Sequence, residues 1–166
     1  MARPSSFETV LSAYGEYHRD RRNIATHLVG VPLIVLAVEV LLSRPVWVMP
    51  WFTVTPAVAV TVLAAFYYLR LDRPLGGALS LALILMARLG LEIAQLSTAI
   101  WLGTGAGLFV IGWAIQFVGH YYEGRKPAFF DDLRGLIIAP IFIAAEVAVL
   151  LGLREDLRPA MRGEGG

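Results

Sequence analysis

The chain has 166 residues, 57% of them hydrophobic and only 16% charged, with 14 basic residues against 13 acidic and a formal net charge of +1. Its mean hydropathy of +0.66 lies well above that of a typical soluble domain, and the absence of cysteine excludes disulfides, zinc–thiolate sites and thiol catalysis. No basic patch interleaved with aromatic residues supports a nucleic-acid partner.

In chain order, Ser5 followed by Glu8 has the spacing of a capping box that opens a helix. Phe7, Val10, Leu11, Tyr14 and Tyr17 then share one face, which predicts an amphipathic helix along a membrane surface. The polar segment 1–23 that carries it lacks the basic, apolar and small-residue order of a secretory signal. Apolar runs follow at about 28–42, 46–69, 78–102, 106–117 and 136–153. Several approach the ~20 residues that cross a hydrocarbon core of ~30 Å, and none alternates with the period of two of a transmembrane β-barrel. Turn signals separate them at Ser43-Arg44-Pro45, Leu71–Pro74 with Gly76-Gly77, Gly103–Gly107 and Gly124–Gly135. Residues 154–166 read as a polar, glycine-rich tail that frays. The expected fold is all-α: a single integral membrane domain over 1–166, a polytopic transmembrane helical bundle of four to five spans. The four-span version has the short run 28–42, with Pro32 and Glu39, partly embedded or paired with its neighbour as a hairpin.

Most basic residues fall in the N-terminal segment and in the connections near 70–77 and 122–135, which places that side in the cytoplasm. Within the apolar runs, Arg88 and Glu92 are spaced to pair, and neither is expected to face lipid, where each unpaired charge costs roughly 2.5–3.5 kcal/mol. Glu39 and Glu146 are expected to face the bundle interior or a polar cavity, and Gln95 and Gln116 to bond between helices.

The three histidines, His18, His27 and His120, all stand at edges of apolar runs. Nine residues of unbroken helix would place His18 and His27 on opposite faces, ~13 Å apart. They share a metal only if the chain turns between them, and Asp20–Asn23 is the place for that turn, with Asn23 as N-cap of the next helix. His120 and Glu123, three apart, lie on one helical face. Glu123 is open to three roles: a fourth ligand, an orienter of an imidazole, or a proton acceptor. Imidazoles without thiolates suit iron, zinc, copper or nickel.

The pattern Tyr14, His18, Asn23, His27, Gly30, Pro32, with Gln116, Phe117, Gly119, His120, Glu123, Pro127, Ala128 and with Ala139, Pro140, Phe142, Glu146, resembles the small membrane 2-hydroxy-fatty-acid dioxygenases over nearly the whole chain. That resemblance implies an Fe(II)-dependent enzyme whose metal ligands are His18, His27 and His120. It also implies cleavage of a long-chain 2-hydroxy fatty acid with O2 to the acid one carbon shorter, CO2 and water, with the acyl chain between apolar helices. Within that reading Glu123 is assigned a catalytic part. Among Arg19, Arg21, Arg22, Arg125 and Lys126, which are all candidates to orient the carboxylate, Arg125 is the residue assigned. Arginine outnumbers lysine thirteen to one; that bacterial character points to an inner membrane, or to the endoplasmic reticulum in a eukaryote, with the site on the cytoplasmic face. The competing reading is a non-catalytic transporter or assembly factor, with the histidines as a metal or proton relay and Glu39, Arg88, Glu92 and Glu146 along the path.

Overall fold

The computed structural model describes residues 6–126 and 134–162. Seven α-helices are described there: α1 (Ser6–Gly15), α2 (Arg21–Leu42), α3 (Pro56–Leu71), α4 (Arg73–Ala94), α5 (Thr98–Glu123), α6 (Arg134–Leu150) and α7 (Arg158–Arg162). A minimal antiparallel hairpin, β1 (Trp47–Val48) with β2 (Thr53–Val54), joins α2 to α3. The all-α expectation holds. Three helices, α2, α4 and α5, are long and apolar enough to cross a membrane, and a fourth element qualifies if α6 and the segment Glu155–Arg162, bent by 119°, count as one span. The chain forms two compact units: Pro32–Ala114, and the residues up to Val31 together with those from Ile115 onward.

In the Pro32–Ala114 unit the helix ends are written in the sequence. Thr55 N-caps α3 by accepting from the Val58 amide at 3.2 Å, with Pro56 in the first turn. Asp72 N-caps α4 by accepting from Leu75 at 2.9 Å, with Pro74 in the first turn. The buried residues of α4 are Leu75, Gly76, Ser80, Leu83, Ala87, Gly90 and Ala94. From Gly76 on they recur at alternating steps of four and three, the seam of a helix packed along its length. Gly76 lets the Tyr68 carbonyl approach where a Cβ would collide with it. Glu39 is buried as expected and its Oε1 accepts from the Thr61 hydroxyl at 2.8 Å.

Several sequence expectations are corrected. The run 28–42 belongs to one continuous 22-residue helix, long and apolar enough to cross a membrane. Gly103–Gly107 makes no turn: α5 runs through it, and Gly105 lets α5 close on Leu41. The break lies at Gln95–Ser97, where the Arg44 guanidinium donates to the carbonyls of Ala94 and Leu96 at 2.8 and 2.7 Å. That guanidinium satisfies carbonyls left free at the end of α4, while Ser97 N-caps α5 through Ile100 at 3.3 Å. Gln95 is exposed and bonds back within its own helix, to Leu91. Arg88 and Glu92 do pair, but both side chains stay more than half exposed, the two charges on adjacent turns neutralising each other.

In the other unit, α1 turns its apolar face onto α6 and α7, not onto a membrane surface, burying Phe7, Leu11 and Tyr14. Truncating the fully buried Leu11 to Ala would cost about 2–5 kcal/mol. Ser5 of the expected capping box lies outside the described residues, as do Pro127 and Ala128. The tail does not fray over its described part. Leu157 and Met161, four apart on one helical face, are both buried, and the Met161 carbonyl sits where a Cβ on Gly15 would be.

Candidate metal centre

The site is assembled from a turn and two helix ends. After α1, the amides of Tyr17 and His18 return to the carbonyls of Tyr14 and Gly15 at 3.1 and 3.0 Å, turning the chain. Asp20 then caps α2. Its carboxylate accepts from the Arg22 amide at 2.8 Å, and its carbonyl receives the Ile24 amide. The N-cap is therefore Asp20 and not Asn23. Asp20 competes better because its carboxylate also pairs with the Arg22 guanidinium at 2.8 Å. The expected turn between the two histidines is present and brings both rings to one point.

His18, His27 and His120 are all buried, and each offers a ring nitrogen within 4.8 Å of the others. Nδ1 of His18 bonds the Tyr14 carbonyl at 3.0 Å, and Nδ1 of His27 bonds the Asn23 carbonyl at 2.9 Å. A carbonyl only accepts, so both Nδ1 atoms carry protons, and both Nε2 atoms are left with lone pairs. Those two Nε2 atoms are 3.1 Å apart. Two acceptors at that distance repel unless a positive charge lies between them. A proton on either ring would serve, but burial opposes it: His18 is pulled down from 6.5 to about 4, mainly by desolvation. A metal cation satisfies both lone pairs at once. Nδ1 of His120 is also buried without a hydrogen-bond partner among the described residues. The residues present thus fit a metal ion held by imidazole nitrogen.

The rings are fixed from behind. Tyr14 stacks on His18 with centroids 4.3 Å apart and planes within 10°, and Phe142 approaches both rings at 4.8 and 5.7 Å. The His27 and His120 centroids are 5.0 Å apart and near perpendicular.

Glu123 bonds none of the imidazoles in this arrangement. Its carboxylate accepts from the Arg19 amide at 3.0 and 3.1 Å, from the Asp20 amide at 2.9 Å and from Asn23 Nδ2 at 3.0 Å. It ties the end of α5 to the turn that follows His18. Arg125, two residues further on, donates from Nη1 to the Glu16 carbonyl at 3.1 Å, a second tie to the same turn. Gly124, with φ of 68°, ends α5 in the left-handed conformation glycine favours, its amide on the His120 carbonyl at 3.1 Å.

Two residues carry weight that spacing alone did not reveal. Asn23, fully buried, holds Glu123 with its side chain and fixes the His27 tautomer with its carbonyl. Gly119 permits α5 to meet α2, because a Cβ there would collide with Thr26 Oγ1 and lie 2.5 Å from Asn23 Oδ1. A glycine directly before a candidate ligand histidine is a usable signal for the second.

A cavity of about 760 Å³ opens beside His18, lined by Arg19, Arg21, Leu28, Glu146 and Arg162 among others. Glu146 thus faces a polar cavity, as expected.

Comparison with known proteins gives two findings. A family model described as "2-hydroxy-palmitic acid dioxygenase Mpo1-like" matches residues 4–151. The chain is also 32% identical over 153 residues to the 2-hydroxy-palmitic acid dioxygenase MPO1 of Saccharomyces cerevisiae, covering 91% of this chain and 84% of the yeast protein. No solved structure matches.

Proposed function

Because the chain belongs to the Mpo1-like family of 2-hydroxy-palmitic acid dioxygenases, we propose that it is an Fe(II)-dependent enzyme cleaving long-chain 2-hydroxy fatty acids. The overall change takes a 2-hydroxy acid and O2 to the acid one carbon shorter, CO2 and water, and it balances without a further reductant. The observation that carries the metal is the pair of Nε2 lone pairs of His18 and His27 facing each other at 3.1 Å, with His120 beside them.

His18, His27 and His120 would hold the ion through neutral nitrogens. Fe(II) held there would activate O2, while the electrons that reduce it would come from the substrate as the C1–C2 bond breaks. The chain supplies the frame. The carbonyls of Tyr14 and Asn23 keep the two Nε2 lone pairs directed inward. Tyr14 and Phe142 close one side of His18 to water. Glu123 contributes to catalysis by positioning: its carboxylate fixes the turn that sets His18 and His27 in register with His120.

The enzyme works in a bacterial inner membrane with this site toward the cytoplasm, a placement supported by the arginines at the N-terminal segment and the connection after α5. The test is metal analysis of detergent-purified protein, then oxygen uptake and product analysis with 2-hydroxypalmitate and added Fe(II). Uptake yielding pentadecanoate and CO2 is the expected result. No uptake in protein that retains its fold would refute the assignment.

A further inference from the structure

The cavity beside His18 has a chemistry that its neighbourhood does not use up. Most arginines of this unit are engaged: Arg22 with Asp20, Arg154 with Asp156, Arg158 with Glu155, and Arg125 with the Glu16 carbonyl. Arg19, Arg21 and Arg162 all line the cavity; the guanidiniums of Arg19 and Arg21 form no hydrogen bond or ion pair with the described residues, and Arg162 acts on Glu146 only at a distance, without a direct ion pair. Glu146 is the one carboxylate among the lining residues. Three positive charges against one negative leave an excess of two in a space whose other walls include Ile24, Leu28, Leu150 and Met161. A cavity of about 760 Å³ falls in the range that encloses a small-molecule ligand. Charge at one part and aliphatic wall at another describe an anionic head on a hydrocarbon tail.

We propose that this cavity seats the substrate's head, with Arg21 and Arg162 holding its carboxylate while Ile24, Leu28 and Leu150 receive the first carbons of the chain. The inference rests on the dioxygenase reading for the identity of the ligand and on the lining residues for its place. Guanidinium is suited to the task because its planar donors meet a carboxylate two at a time. His18 lines the same cavity, so a head held there lies beside the metal ligands. Arg162 reaches the site because α7 is held on α1 at Gly15. The described part of the C-terminal segment is thereby a wall of the binding site. Arg125 is not among the lining residues, and the carboxylate passes from it to Arg21 and Arg162.

An anionic phospholipid carries the same chemistry, and the experiment separates the two. Metal-free protein in neutral detergent is titrated with 2-hydroxypalmitate, with dipalmitoyl phosphatidylglycerol as competitor. Wild type should bind the acid, and an equal concentration of the phospholipid should not displace it. Arg21→Met and Arg162→Met should each weaken binding about tenfold or more, with Lys at either position restoring part of it. Ala25→Trp, which fills the cavity without altering charge, should abolish binding, and Arg70→Met, in the other unit, should leave it unchanged. Circular dichroism and gel filtration confirm that each variant folds. Binding unaffected by both arginine substitutions and by Ala25→Trp overturns the proposal, as does equal displacement by the phospholipid. Oxygen uptake by iron-loaded wild type tests the dioxygenase reading separately. Normal uptake with unaffected binding removes the cavity assignment alone, and absent uptake with cavity-dependent binding removes the reaction and keeps the site.

Discussion

The Nε2 atoms of His18 and His27 face each other at 3.1 Å, each with its Nδ1 proton already committed to a backbone carbonyl. With His120 alongside, the site is set for a cation before one arrives. Replacing any one of the three histidines with Ala should reduce bound iron, measured by elemental analysis, from near one per chain to under a tenth, because the site loses one of three protein ligands. A His120→Ala protein with full iron content would sink the ligand assignment.

Metal removal supplies an independent reading of the same arrangement. A cation that binds only the folded chain stabilises it in proportion to its occupancy. Chelation should therefore lower the melting temperature of wild type by several degrees and leave that of His27→Ala unmoved. Equal shifts in both proteins would place the stabilising ion elsewhere.

Glu123 is expected to behave as a brace. Glu123→Ala frees the amides of Arg19 and Asp20 and the Asn23 side chain, so it should destabilise the metal-free protein by about 1–3 kcal/mol. It should also weaken metal affinity by about 10–100-fold. A group acting only by proton transfer would give another pattern, with turnover reduced while iron content and unfolding stay normal. Calorimetry and iron titration on one sample distinguish the two.

The metal-free protein should also respond to acid in one direction. His18 is lowered from 6.5 to about 4 in the folded chain, first by desolvation. Between those values the unfolded chain binds the proton and the folded chain does not. The stability that the neutral, buried ring contributes is fully present above about pH 6.5 and is lost as the pH falls toward 4. His18→Phe should flatten that part of the profile in chemical denaturation measured across the range. An unchanged slope would show that His18 does not titrate there.

The histidine pattern is legible in the sequence, because the chain has only three histidines and their spacing demands a turn between His18 and His27. The all-α, membrane-spanning character was legible for a similar reason: long apolar runs have few other solutions. Helix boundaries were harder. Gly103–Gly107 resembles a turn, yet glycine inside a packed membrane helix serves close approach as readily as it breaks a helix. The true break at Gln95–Ser97 depends on Arg44, some 50 residues upstream. The burial of α1 was hidden because an amphipathic face looks the same whether it meets lipid or another helix. Only Leu157 and Met161, spaced four apart in an otherwise polar tail, hinted at what covers it.

The length of α5 has a consequence for how a fatty acid meets the enzyme. Twenty-six residues of helix extend about 39 Å, roughly 9 Å beyond the hydrocarbon thickness of a bilayer. Set upright with Thr98 at one boundary, such a helix lifts its final turn and a half, with His120 and Glu123, into the headgroup layer at the other. That is the depth at which a fatty acid dissolved in the bilayer already carries its carboxylate. Substrate would arrive by sliding laterally within one leaflet, without crossing water. The rate would then follow the mole fraction of the acid in the lipid, and dilution of the acid with inert lipid would slow the enzyme even when its amount per volume is unchanged.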